Sequence, residues 1–176
     1  MPTTCLLTEA DIANKVRRLA SEIVEAHPSG PLGFVGIHTR GVVLAERVHQ
    51  AVTDLRNEPV AYGTVDISLY RDDLDNLGTI PAIKSSDIAF PIDGRNIILF
   101  DDVLFTGRTV RAAIDCLMDY GRPSRIQLAV LVDRGLRELP IAADFVGLTH
   151  PTTREDHIRV SFTDTDADSE EGVFLL

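Results

Sequence analysis

The segment Ile97-Ile98-Leu99-Phe100-Asp101-Asp102-Val103-Leu104-Phe105-Thr106-Gly107-Arg108-Thr109 constrains this chain more than any other. Ile97 to Phe100 is a continuous apolar run, the pattern of a strand buried on both faces of a parallel sheet. After it, Val110, Ala113, Ile114, Leu117 and Met118 recur at helical spacing and predict a helix with one apolar face. Gly121 and Pro123 supply its stop signals. The turn Thr106-Gly107-Arg108-Thr109 therefore opens a helix, where unpaired N–H groups and the helix dipole favour an anion. Gly107 lets backbone approach a ligand closely, and the threonine hydroxyls add donors. Asp101 and Asp102 end the apolar run, at the carboxyl edge where open α/β sheets bind ligands. An acid pair before a Thr-Gly turn also suits a Mg²⁺ site or a helix cap. A sugar phosphate matches both halves, with hydroxyls for the carboxylates and a phosphate for the turn.

The full string resembles the phosphoribosyl-pyrophosphate (PRPP) motif of type I phosphoribosyltransferases. Its extension Val110-Arg111-Ala112-Ala113 is similar to the branch that pairs uracil phosphoribosyltransferase activity with attenuation of pyrimidine operons. Gly36-Ile37-His38-Thr39-Arg40-Gly41 resembles the family's pyrophosphate loop, with His38 where that branch usually carries Lys or Arg. Asp66-Ile67-Ser68-Leu69-Tyr70-Arg71-Asp72-Asp73 resembles the start of its flexible loop, and Val132 to Ile141 resembles the segment after the PRPP helix. The resemblance implies a mostly parallel central sheet flanked by helices, with a small hood, as one domain over residues 1–176. It implies the reaction of uracil with PRPP to give UMP and diphosphate. Arg40, Asp101 and Asp102 would be catalytic. Thr39, Arg40, Gly41, Asp101, Asp102, Val103, Leu104, Phe105, Thr106, Gly107, Arg108 and Thr109 would bind PRPP or UMP. Arg134 and Ile158 would lie near uracil, and Tyr70 and Arg71 would belong to the flexible loop. Mg²⁺ would be held mainly through PRPP and diphosphate, with no protein metal ligand assigned. The resemblance also implies a homodimer or higher homo-oligomer and UMP-dependent binding to a pyrimidine-operon leader mRNA. A regulator that only senses nucleotide, and a purine-type phosphoribosyltransferase, are the alternative readings.

Local chemistry supports the second anion site. Phe34 to Ile37 reads as a short strand and Val42 to Leu55 as a helix, so Thr39-Arg40-Gly41 repeats the strand-turn-helix logic. Arg40 suits a phosphate as a charged fork, though a solvated Arg at a helix start is as common. Arg71 to Asp87 is long for a connection in a compact domain and reads either as a functional lid or as a surface loop. Asp133-Arg134-Gly135 follows the apolar run Ile126 to Val132, so it reaches the same sheet edge as Asp101.

Thr8 and Asp11 form an approximate capping box before the stripe Ile12, Val16, Leu19, Ala20, Ile23 and Val24. Val60 to Leu69, Asp144 to Leu148, His157 to Phe162 and Gly172 to Leu176 read as further strands. Alternating strands and helices imply a parallel sheet. No apolar run approaches membrane-spanning length, so no membrane partner is expected. The two cysteines, Cys5 and Cys116, form no disulfide framework, and a cytoplasmic location is expected. The chain has 17 Lys plus Arg against 27 Asp plus Glu, a formal net charge of −10. That field opposes RNA, whose affinity rests on phosphate neutralisation. Arg17, Arg18, Arg137 and Arg154 are the candidate RNA contacts, and RNA binding is expected to be weak or absent.

Overall fold

The computed structural model describes residues 3–70, 85–166 and 170–176. Its elements run β1 (Thr4–Thr8), α1 (Glu9–Ala26), β2 (Leu32–Ile37), α2 (Arg40–Leu55), β3 (Ala61–Val65), β4 (Asn96–Leu104), α3 (Arg108–Met118), β5 (Arg125–Asp133), β6 (Phe145–Thr149), β7 (Ile158–Ser161) and β8 (Gly172–Leu175). A five-stranded sheet has the order β3-β2-β4-β5-β6, and every pairing in it is parallel. A smaller antiparallel sheet, β1-β8-β7, joins the two ends of the chain as a hood.

The parallel sheet carries helices on both faces, which explains why its central strands lack alternation. Ile98 and Phe100 of β4 pack with α1, α2 and the hood residues Val160, Phe162 and Val173. Ile97 and Leu99 pack on the other face with Val110, Ala113 and Leu117 of α3. The expected α3 stripe is corrected at its end: Met118 is 50% exposed, and Cys116 takes the buried place. The chain runs outward in one direction from β2 to β3 and in the other from β4 through β5 to β6. The order thus reverses between β2 and β4, and a crevice at that switch point is where such sheets bind ligands.

Local signals position the elements. The Thr8 hydroxyl accepts from Asp11 N–H while the Asp11 carboxylate accepts from Thr8 N–H, the expected capping box. α2 begins at Arg40 rather than Val42, so Arg40 and Gly41 form its first turn instead of a preceding loop. β3 stops at Val65 rather than Leu69, because the Asp66 carboxylate accepts from the Ser68 N–H and hydroxyl and turns the chain. β4 continues to Leu104 rather than ending at Phe100, since Asp101, Val103 and Leu104 stay in register with Val130, Val132 and Asp133 of β5. β1 was not legible as a strand: it is short, Leu7 is its single buried residue, and its partner β8 lies at the far end of the chain. Among the described residues no helix is long and apolar enough to cross a membrane.

Candidate active site

A cavity of about 410 Å³ opens at the switch point. It is lined by His38, Thr39 and Arg40 from the β2–α2 junction, Asp66, Ile67 and Ser68 after β3, Asp101, Asp102 and Val103 of β4, and Thr109 of α3. Three separate sequence segments thus converge on one crevice. Gly41 makes the convergence possible: a Cβ there would lie 2.4 Å from the Phe100 carbonyl oxygen. Only glycine lets the α2 N-terminus press against β4 beside the acid pair.

The two carboxyls of β4 have different surroundings. Asp101 is buried and its Oδ1 accepts from the Asp102 N–H at 3.0 Å. Burial first, and then the neighbouring Asp102 charge, push Asp101 well above the ordinary carboxylate range. Burial also raises Asp102, but the hydrogen bond from Asp101 and the charge of Arg40 oppose the rise. Both carboxyls are thus held above the ordinary range, and Asp101 is the more readily protonated of the two.

Gly107 caps α3 with φ +93°, a conformation that glycine adopts without strain. Thr109, in the first turn of α3, joins Asp102 in the cavity wall. Leu104, expected in the cradle, has its side chain buried in the core. Phe105, Thr106, Gly107 and Arg108 form the turn itself and lie outside the cavity lining. Arg108 Nε donates to Glu138 at 2.8 Å.

A scaffold behind this turn was only partly foreseen. Arg134 is buried, with Nε on the Thr152 hydroxyl and Nη2 on the Thr153 and Asp156 carbonyls. Its guanidinium stacks over Phe105, and it does not line the cavity. Arg137 donates to the carbonyls of Phe105, Gly135 and Ile141 and pairs with Asp133 at 2.5 Å. The expected RNA contact is thus largely spent on backbone. Arg18 likewise donates to the Val146 and Gly147 carbonyls, whereas Arg17 bonds Asn14 within its own helix. Arg154 is 74% exposed, 3.6 Å from Glu138.

Ile158 opens β7 and packs on the same core as Val103, outside the cavity lining. Tyr70 turns toward α3: its hydroxyl donates to Asp119, and its carbonyl accepts from Arg111. The Asp119 bond is the main cause that pushes the phenol up to about 12. Arg71, and with it most of the expected lid, lies outside the described residues. Asp66, Ile67 and Ser68 were not foreseen as site residues, although polar residues at the carboxyl end of a parallel strand were the available signal.

Arg40 makes a two-pronged pair with Asp166 of the hood, Nη2 to Oδ1 at 2.9 Å and Nε to Oδ2 at 3.2 Å. Asp102 adds a further favourable charge, and the Arg40 guanidinium is held above its ordinary range chiefly by Asp166. The cavity donors are hard oxygens, which suit Mg²⁺. Among the described residues no group of three or more His, Cys, Asp or Glu is arranged to hold a metal ion.

A phosphoribosyl transferase domain model matches residues 3–166. Bifunctional protein PyrR of Roseiflexus is 47% identical over 172 residues, covering 97% of this chain and 93% of that protein. Bifunctional protein PyrR of Thermus thermophilus is 48% identical, covering 93% of this chain and 91% of its own length. The hypoxanthine phosphoribosyltransferase structure of Trypanosoma cruzi superposes with a TM-score of 0.73 at 20% identity, over 98% of this chain and 95% of that one. At that identity the likeness establishes the fold.

Proposed function

The chain belongs to the phosphoribosyl transferase family, on its PyrR branch, and from that membership we propose that it converts uracil and PRPP to UMP and diphosphate. The observation that carries the reading is the meeting of Arg40, Asp102 and Thr109 around one crevice at the switch point. These residues match the three charged or hydroxylated parts of PRPP.

In the reaction the bond from ribose C1′ to the diphosphate oxygen breaks and the bond from C1′ to uracil N1 forms. N1 loses its proton. When bound, mainly through PRPP and diphosphate, Mg²⁺ would supply positive charge to neutralise the leaving group. Asp102 accepts from the ribose hydroxyls and its charge stabilises the positive charge that develops on the ring. Asp101 orients Asp102 by accepting from its backbone N–H. The amides and hydroxyls of the α3 N-terminus, from Thr106 to Thr109, take the 5′-phosphate. Arg40 and the first turn of α2 take the departing diphosphate. Positioning and fixed charge carry the rate enhancement.

As a single domain over residues 1–176, the chain would act in the cytoplasm as a homo-oligomer. In this proposal its second role is regulation of pyrimidine-operon attenuation through UMP-dependent binding of leader mRNA, which accords with the word bifunctional in the names of its relatives. RNA affinity is low in this reading, because the net charge is −10 and Arg18 and Arg137 are engaged internally.

The test is PRPP-dependent formation of UMP from uracil with Mg²⁺, with hypoxanthine as competitor and Asp102→Asn as control. Turnover that falls about 100-fold in the variant supports the reading. Folded protein that turns over hypoxanthine but not uracil would replace it with the purine-type activity.

A further inference from the structure

The hood is fastened to α2 at two points. Two turns beyond Arg40, Arg47 pairs with Glu171 and Asp164, both at 2.5 Å, and stacks on Phe162. Glu171 is buried and also accepts from the Thr163 N–H and hydroxyl, so it anchors this first node, while Asp164 is 55% exposed. The second node is Asp166 on Arg40, and it differs in kind. Both side chains are partly open to solvent, at 23% and 38%. Arg40 lines the cavity while Asp166 does not. Asp166 is kept in place from behind by the Phe162 N–H at 3.3 Å and the Thr165 hydroxyl at 2.9 Å.

The charge balance of the cavity gives this node a consequence. Among the described residues, Arg40 is the one Lys or Arg in the lining, which also holds Asp66, Asp101 and Asp102. Asp166 cancels that cation and occupies the Nε–Nη2 edge, the edge best suited to grip a phosphate by two bonds.

We propose that Asp166 is a resident anion on Arg40, which diphosphate must displace on binding and which retakes the guanidinium as diphosphate departs. The proposal rests on the assignment of Arg40 to diphosphate made above. Asp166 then acts as a specificity and release residue: it weakens the hold on free diphosphate and shortens its residence. The Arg47 node keeps the hood loop anchored while the Asp166 contact exchanges.

Calorimetric titration of Mg²⁺-diphosphate into the full chain tests it, with wild type, Asp166→Asn, Asp164→Asn, Arg40→Ala and the Arg40→Ala/Asp166→Asn double variant. Asparagine keeps an acceptor for the Phe162 and Thr165 donors, and Asp166→Ser serves as a second neutral variant should Asp166→Asn misfold. The expected results are tightening of about fivefold for Asp166→Asn, weakening of about tenfold for Arg40→Ala, and no effect of Asp166→Asn in the Arg40→Ala background. Asp164→Asn removes the same charge from the same loop without touching Arg40, and its affinity should stay within about twofold of wild type. Unchanged or weaker binding by Asp166→Asn, with Arg40→Ala weakened, overturns the proposal alone. Equal tightening by Asp164→Asn overturns it in favour of a general field effect. Unchanged binding by Arg40→Ala overturns both the proposal and the assignment of Arg40 beneath it.

Discussion

The guanidinium carbon of Arg134 lies 4.1 Å from the centre of the Phe105 ring, and its N–H groups are spent on Thr152, Thr153 and Asp156. One buried side chain thereby ties the turn before α3 to the loop before β7. Burial holds its guanidinium below the ordinary arginine range, so the fold bears a desolvation cost to keep this tie.

Arg134→Ala should therefore lower stability by about 3 kcal/mol, as truncation of a buried, multiply bonded cation does. KM for PRPP should rise more than KM for uracil, because the phosphate turn loses its support. Urea unfolding and steady-state kinetics check both. A selective rise in KM for uracil would instead favour the base contact expected from the sequence.

Gly41→Ala places a methyl 2.4 Å from the Phe100 oxygen, with the Asp101 Cα next nearest at 3.1 Å. Both neighbours are backbone, so α2 or β4 has to shift. Stability should fall by about 2 kcal/mol, and turnover should fall at least tenfold even where the variant stays folded. Far-UV circular dichroism beside turnover separates the two effects.

Asp101 has a folded-state value above its unfolded one, so the folded chain binds this proton more tightly. Its stabilising contribution is complete below the unfolded carboxylate value and disappears as pH rises through the folded value. Asp101→Asn, a neutral mimic, should gain stability relative to wild type by about 1 kcal/mol or more between pH 4 and pH 8. Urea unfolding at both pH values measures this, and a constant difference would show that Asp101 titrates alike in both states.

Glu171 behaves with the opposite sign. Arg47 and the Thr163 donors hold its carboxyl down at about 2. Stability from this group is present above the unfolded carboxylate value and is lost as pH falls toward about 2. Glu171→Gln should cost about 2 kcal/mol at pH 7 and much less near pH 2, with the hood loosening first. Hydrogen exchange of β7 and β8 amides reports the hood specifically.

Much of the site was readable in advance because it is local. Asp101, Asp102, the Thr106 to Thr109 turn and the helix after them lie in one continuous stretch, and their chemistry follows from a strand, a turn and a helix start. Thr39 and Arg40 followed from the same logic. The partners of these residues were not readable. Nothing near Arg40 in sequence indicates Asp166, and nothing near Phe105 indicates that Arg134 would stack on it, because both contacts join distant segments. β1 escaped notice for the same reason, since its strand character comes from pairing with β8.

Apolar periodicity, turn chemistry and the acid pair by themselves determined the parallel α/β architecture and the two helix starts at its carboxyl edge, since each depends on neighbours within a few turns of chain. The tertiary structure alone decided that β2 and β4 lie side by side, that burial raises Asp101 more than Asp102, and that Arg40 pairs with Asp166. Those outcomes depend on burial and on charges brought together across the sheet, and both exist only once the chain has closed on itself.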